Sequence, residues 1–347
     1  MSEAEYRNII ASGDPDEAPD AALSLGELME QQGNLAGAEI LYRMAANSGH
    51  PDVSPIAGRN VGLVLLQLGR PDEAEAAFRE VIKSAHPTAS PVAAVALGNV
   101  LAEQGRLEEA ETAFRVALNS SDDEARGVAA VDLGNLHFHR GRLSEAVAAY
   151  EIAADSDDDA SRAAGLLNLG CTWKKLGRLE DAEQAWRSAM ASGHDAIRQM
   201  AAANLGGVLR DMGRFEEAVV VLELAVDGED PDQVRIAAAN LGVVLRDMGR
   251  FEEAEAAWRI AVNHRDAGAA IGLGDLLHSQ GRFWDAAEMY EMIVDSGDPF
   301  LGAMAAAKLQ ALTHGWEATG DPRTAGGAPK QPTRARWRPP SGGGLKL

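Results

Sequence analysis

The sequence predicts an all-α chain, a solenoid of about eight helix-turn-helix repeats of 36 residues closed at each end by a capping half-repeat. Three observations lead there. Residues 201–218, AAANLGGVLRDMGRFEEA, return as residues 237–254 with one letter changed, Gly207 becoming Val243. A glycine-led turn recurs at Gly33, Gly69, Gly105, Gly141, Gly177, Gly213, Gly249 and Gly281, every 36 residues until a last step of 32. A second glycine keeps the same beat seven residues earlier, from Gly26 to Gly274. A fixed period in this range marks stacked supersecondary units, each too small to bury its own apolar face.

The elements follow in order. Ser2 and Glu5 open the chain with a capping-box pattern, and YRNIIASGDPD from Tyr6 matches YRMAANSGHPD from Tyr42, so residues 1–14 read as the second half of a missing repeat. The repeats then occupy residues 15–317. In the sixth copy the first helix is expected over residues 195–212, ending at Gly213, and the second from after Arg214 to about Val226. Ser54-Pro55, Ser90-Pro91, Asp230-Pro231 and Asp298-Pro299 read as an N-cap followed by proline in the first helical position. The acids of residues 155–159 also suit a helix N-terminus better than a calcium loop, since no loop has EF-hand ligand spacing. The final step of 32 removes four residues, about one helical turn, and leaves the faces in register. Residues 299–313 repeat the first-helix pattern with Gln310 in place of the glycine and would close the array. Beyond His314 the period fails, and residues 318–347, rich in Gly, Pro and Arg, are expected to be disordered.

A glycine inside a helix costs about 1 kcal/mol relative to alanine, so one in every first helix needs a common cause. Sixteen residues on stands Tyr42, Phe78, Phe114, Tyr150, Trp186, Leu222, Trp258 or Tyr290, and twelve on always an alanine. A large side chain of the second helix is expected to lie over the bare backbone of the first.

The chain has 347 residues, 46% of them hydrophobic but only 5% aromatic, which fits closely stacked alanine-rich helices. Its formal net charge of -21 opposes contact with nucleic acid or an anionic membrane. The single cysteine, Cys171, excludes an internal disulfide framework, and no stretch approaches a membrane span or a secretory leader, so a cytoplasmic location is the expectation.

The combination Leu25-Gly26, Ala38, Tyr42 and Ala45, with its counterparts in each copy, resembles the tetratricopeptide repeat family. The SGH and SGD linkers are similar to those of the related Sel-type repeats. The resemblance covers roughly residues 21–293. It implies a right-handed superhelix of antiparallel helix pairs whose first helices line a groove for a peptide or partner protein, and it implies no reaction. Most copies have a small residue where the family often has an early tryptophan. The Lys-x3-Asn clamp for chaperone tails is absent, its slots reading Arg59/Leu63, Val95/Asn99 and Val131/Asn135.

If the first helices line a groove, Asn60, Asn168, Asn204 and Asn240 form a ladder two residues before the glycines, with Asp132 in the same slot. An amide both donates and accepts, so the ladder could hold an extended backbone without reading its sequence; equally, it could bridge neighbouring repeats. Asn99 and Asn135 follow their glycines and should lie nearby. Lys174, Arg210 and Arg246 share a slot four residues after the glycine; they could receive a carboxylate or pair locally, for example with Asp211 and Asp247. The arginine after most turn glycines reads as structural.

No catalytic, cofactor or metal site is expected. His137 and His139 face apart on a helix, Cys171 reads as a packed thiol, and the nucleotide-binding and hydrolase motifs are missing. The expectation is a non-enzymatic scaffold for a protein or peptide partner, monomeric or weakly self-associating. The alternative is contact with nucleic acid through the basic tail, where Trp337 stands between Arg336 and Arg338. That tail could also fold back on the acidic repeats.

Overall fold

The computed structural model describes residues 1–294 and 298–319, with side chains up to residue 312. The expectations for the basic tail fall on residues that, from 320 onward, lie outside this range. Among the described residues there are 18 helices and no strand. They divide into two units, Met1–Arg178 and Leu179–Leu347.

Unit 1 holds α1 (Glu3–Ser12), α2 (Glu17–Gln31), α3 (Leu35–Ala46), α4 (Val53–Gln67), α5 (Pro71–Ser84), α6 (Ala89–Glu103), α7 (Leu107–Leu118), α8 (Asp123–His139), α9 (Leu143–Ala154) and α10 (Asp159–Lys175). Unit 2 holds α11 (Leu179–Met190), α12 (Asp195–Asp211), α13 (Phe215–Val226), α14 (Pro231–Asp247), α15 (Phe251–Asn263), α16 (Ala267–Ser279), α17 (Phe283–Val294) and α18 (Pro299–Thr319). Consecutive helices pack against each other within each unit. First helices also touch first helices, α2 on α4, α4 on α6 and α6 on α8 in unit 1, α12 on α14 in unit 2.

The turn glycines all adopt φ between 72° and 76°, the left-handed conformation that a side chain disfavours. The glycine inside the first helix has a different task. A Cβ built on Gly26, Gly62, Gly98 or Gly134 would stand 2.3–2.5 Å from the ring of Tyr42, Phe78, Phe114 or Tyr150, so the ring rests on bare backbone. Gly206, Gly242 and Gly274 hold Leu222, Trp258 and Tyr290 in the same way. The alanine twelve residues after the glycine is fully buried in all eight copies, and that lets the two axes approach.

Two expectations are corrected. Ser54-Pro55 and Ser90-Pro91 do not cap their helices, which begin one residue earlier at Val53 and Ala89. The Ser54 and Ser90 hydroxyls donate back to the carbonyls of Ala45 and Val81, tying each linker to the preceding helix. The free amides of these helix starts go instead to imidazole: Nδ1 of His50 accepts from Val53 N–H at 3.2 Å and Nδ1 of His86 from Ala89 N–H at 3.2 Å. Asp230 and Asp298 do cap, each with proline next. The second correction is the end of the array, where α18 continues to Thr319 rather than stopping near His314. The step of 32 is absorbed by a first helix of 13 residues, α16, against 17 in α14, and Tyr290 still covers Gly274.

Candidate functional site

Two surfaces of the repeat carry polar side chains in a regular pattern, and they differ in how those side chains are satisfied. The first surrounds the start of each second helix. Arg106 donates to Glu75 of the preceding second helix at 2.8 Å and to Glu109 one turn ahead at 2.6 Å. Arg70 does the same with Glu39 and Glu73, and in unit 2 Arg214 with Glu183 and Glu217 and Arg282 with Glu255 and Asp285. A second arginine, Arg43, Arg79 or Arg187, joins the first three of these squares from the other side, and in the fourth Arg259 reaches Glu255 alone. The hydrogen bond from Arg70 holds the Glu73 carboxyl below its ordinary range, and the bond from Arg106 does this to Glu109. Where the preceding second helix carries a glutamate in the slot of Glu75, the arginine that follows the turn glycine is therefore a bolt between successive second helices. In repeats four and six the glutamate is replaced by Val147 and Val219; Arg178 lies over the Trp173 ring at 3.9 Å, and Arg250 pairs with Glu253 of the helix it precedes.

The second surface is the face of the first helices around the glycine. Its floor is made by the end of the ring that covers the glycine. The hydroxyl of Tyr42 donates to Glu30 Oε2 at 2.8 Å, that of Tyr150 to Asn135 Oδ1 at 2.7 Å, and, in unit 2, that of Tyr290 to Asp275 Oδ1 at 2.7 Å. Burial, and in Tyr150 also the nearby Cys171 and Asp132, pushes these phenols up, so they remain donors. The sequence pattern missed these hydroxyls; the signal was tyrosine rather than phenylalanine over the glycine together with a polar residue one or four positions past it.

Of the residues expected in a groove, unit 1 brings several together. Asn99 Nδ2 donates to Asp132 Oδ2 at 3.1 Å, and Asn168 Nδ2 to Asn135 Oδ1 at 3.3 Å, so side chains of adjacent repeats meet in pairs. Asn60 is 8% exposed, and its Oδ1 accepts from the Arg59 guanidinium at 3.0 Å. Asn99 and Lys174 are exposed, Asn135 and Asn168 half-buried. Cys171 is half-buried and forms no disulfide. In unit 2, Asn204 and Asn240 are half-buried. The cations of that unit are engaged locally: Arg210 pairs with Asp211 at 2.9 Å and Arg246 with Asp247 at 2.7 Å, the neighbour pairing that the sequence also allowed.

Asp132 stands apart within this face. It is half-buried, burial raises its carboxyl above the ordinary range, and the hydrogen bond from Asn99 opposes that only in part. No group of three or more His, Cys, Asp and Glu among the described residues could hold a metal ion. Another groove in unit 1, about 500 Å³ between α3, α4 and α5, is lined among others by Arg43, Ser54, Gly58, Val81 and Ser84, of which Arg43 is engaged with Glu39 and the two serines with backbone carbonyls.

A family model described as tetratricopeptide repeat matches residues 2–52, 62–127 and 240–299, more than half of the sequence, and two others of the same description match residues 163–267 and 127–151. The chain belongs to the tetratricopeptide repeat family. A tetratricopeptide repeat array is a scaffold for protein interaction, in general without a reaction of its own. Among solved structures, the C-terminal part of a repeat-containing protein from Cytophaga hutchinsonii matches with a TM-score of 0.55 and 13% identity, over 72% of this chain and 99% of that one. Yeast Tom70 matches with a TM-score of 0.50 and 16% identity, over 89% of this chain and 62% of that one. A third match, YrrB, described as a tetratricopeptide repeat protein with an unusual peptide-binding site, has a TM-score of 0.44 and 21% identity over 57% of this chain and 99% of that one. A comparison with curated protein sequences gives no match. No described helix is long and apolar enough to cross a membrane.

Proposed function

We propose that this tetratricopeptide repeat protein is a non-enzymatic scaffold that binds an extended segment of a partner protein on the glycine-side face of its first helices. The observation that carries this reading is the recurrence of a side-chain amide in one half-buried slot, Asn168 in unit 1 and Asn204 and Asn240 in unit 2. A primary amide has two N–H donors and a carbonyl, and the bond from Asn168 to Asn135 engages one donor. The other donor and the carbonyl of Asn168 can serve the N–H and C=O groups of an extended chain, which present the same atoms whatever its sequence. In this reading α1 caps the open side of the first repeat, with its Ser2–Glu5 box closing the helix start.

The test uses peptides selected from a random display library on the full chain, whose affinities are then measured by fluorescence anisotropy. Replacing Asn135 and Asn168 together by alanine, and separately Asn204 and Asn240, should weaken binding about tenfold in at least one of the two variants while both keep their helical circular dichroism. Affinity unchanged in two folded variants removes the first-helix face from the function.

A further inference from the structure

One glutamate slot of the second helices, withdrawn from water, sets a standard against which Asp132 can be judged, while the half-buried Glu30 of a first helix has no ion pair among the described residues but two neutral donors, the Tyr42 hydroxyl and the Gln67 amide. Glu39, Glu75, Glu111, Glu183 and Glu255 are each bonded by at least two guanidinium groups, and the half-buried Asp266 by Arg235. Even the more exposed Asp275 receives Lys308 at 2.7 Å. Asp132 receives one neutral amide, Asn99, and no ion pair among the described residues. Around it stand Asn135, Asn168 and Tyr150, all uncharged, whose hydrogen bonds run to one another. A carboxylate withdrawn from water without a cation is a cost to the fold.

The chain itself shows that this cost is avoidable. The slot of Asp132, two residues before the glycine, is occupied by asparagine in four other repeats, at Asn60, Asn168, Asn204 and Asn240. Asparagine there is nearly the same size, and its carbonyl oxygen could accept from Asn99 as the carboxylate does. The negative charge is thus the one property of Asp132 that packing does not use. The preceding copy has Ala96 in the slot, a side chain with no group that could answer the charge.

We infer that Asp132 is the selectivity residue of the unit 1 face and takes a lysine or arginine side chain of the bound segment, with Asn99, Asn135 and Asn168 holding the backbone beside it. The inference rests on the reading of that face as a peptide site. The incoming cation supplies the charge partner that the second-helix glutamates have internally, and a guanidinium can meet a carboxylate through two parallel N–H donors.

The experiment takes the peptides selected on the full chain. They should be enriched in Lys and Arg at one position, and replacing that residue by citrulline, which keeps the shape and removes the charge, should weaken binding at least tenfold. Asp132→Asn should lose about the same factor toward the basic peptide and almost nothing toward the citrulline one, with an unchanged or slightly higher melting temperature. Binding of both peptides to Asp132→Asn with the wild-type preference overturns the inference and leaves the peptide-site reading standing, as does a selected set without basic residues. Selected peptides that bind the Asn135/Asn168 double alanine variant as tightly as wild type would remove the peptide site from this face and the inference with it.

Discussion

Within unit 1 the two polar surfaces use charge in opposite ways. At the start of the second helices Glu75, 7% exposed, lies between Arg79 and Arg106, and Arg106 also reaches Glu109, so each charge is answered inside the molecule. On the first-helix face Asp132 is answered, among the described residues, only by the Asn99 amide, and its neighbours are amides and a phenol. Charge that holds repeat to repeat is neutralised where it stands; charge that faces outward over the glycines is left for something else. Both surfaces hang on the same core, since Tyr150 covers Gly134 with its ring and reaches Asn135 with its hydroxyl.

The largest perturbation would break both surfaces at once. Tyr150→Ala removes a ring that is 2% exposed and should cost about 3–5 kcal/mol in urea unfolding. Tyr150→Phe should cost only about 1 kcal/mol but loosen the Asn135–Asn168 pair, which peptide binding would report. Next comes the contact from the other side: Gly134→Ala places a methyl 2.4 Å from the ring, and the resulting strain of about 1–3 kcal/mol should outweigh the gain in helix propensity of about 1 kcal/mol.

Glu75→Gln isolates the bolted surface. It removes one of the two carboxylates that Arg79 and Arg106 share, leaving Glu109, and should cost about 1 kcal/mol, discounted because both arginines are partly solvated, with no effect on peptide affinity. Comparable destabilisation and an equal loss of binding would dissolve the distinction between the surfaces.

Acid should separate them further. The carboxyls of Glu73, Glu109, Glu217 and Glu255 are held below the ordinary glutamate range by Arg70, Arg106, Arg214 and Arg282. Their stabilisation is present above the unfolded glutamate pKa and is lost as pH falls through the lowered folded values. Asp132 has the opposite sign: its folded value is raised, so protonation relieves a cost. A core histidine acts earlier. His137, 4% exposed with an unbonded Nδ1, occupies a slot that is leucine in five copies, and burial lowers its pKa. The neutral ring is favoured in the fold, so stability should decline as pH drops below the unfolded value of about 6.5. His137→Leu should raise the melting temperature at pH 5 more than at pH 8; an equal rise at both would show that packing alone is involved. The smallest effect belongs to Asp132→Asn, which should leave thermal stability unchanged or slightly higher, and less so in acid.

Much of this was legible in the repeats. A period of 36 read from two glycines places both helices of the sixth copy, α12 and α13, almost to the residue, because the turn glycine must adopt positive φ and the internal glycine must meet a ring or, in that copy, the bulky Leu222. The asparagine slot was legible for the same reason, as a position repeated at fixed distance from that glycine. The helix starts at Val53 and Ala89 were not, because the histidine that follows the serine-glycine or serine-alanine pair serves as the cap and the expected serine turns back to a carbonyl.

The sequence by itself determined the unit, its number and its all-α class, since hairpin geometry depends on residues close along the chain. Only the tertiary structure decided which charges are answered. Glu75 meets Arg106 thirty-one residues on and Asn99 meets Asp132 thirty-three residues on, and such pairs exist only once neighbouring repeats have stacked. Identical slots then receive different partners, which is why an arginine after a turn glycine proves to be a bolt and an aspartate in an asparagine slot is left with its charge unused.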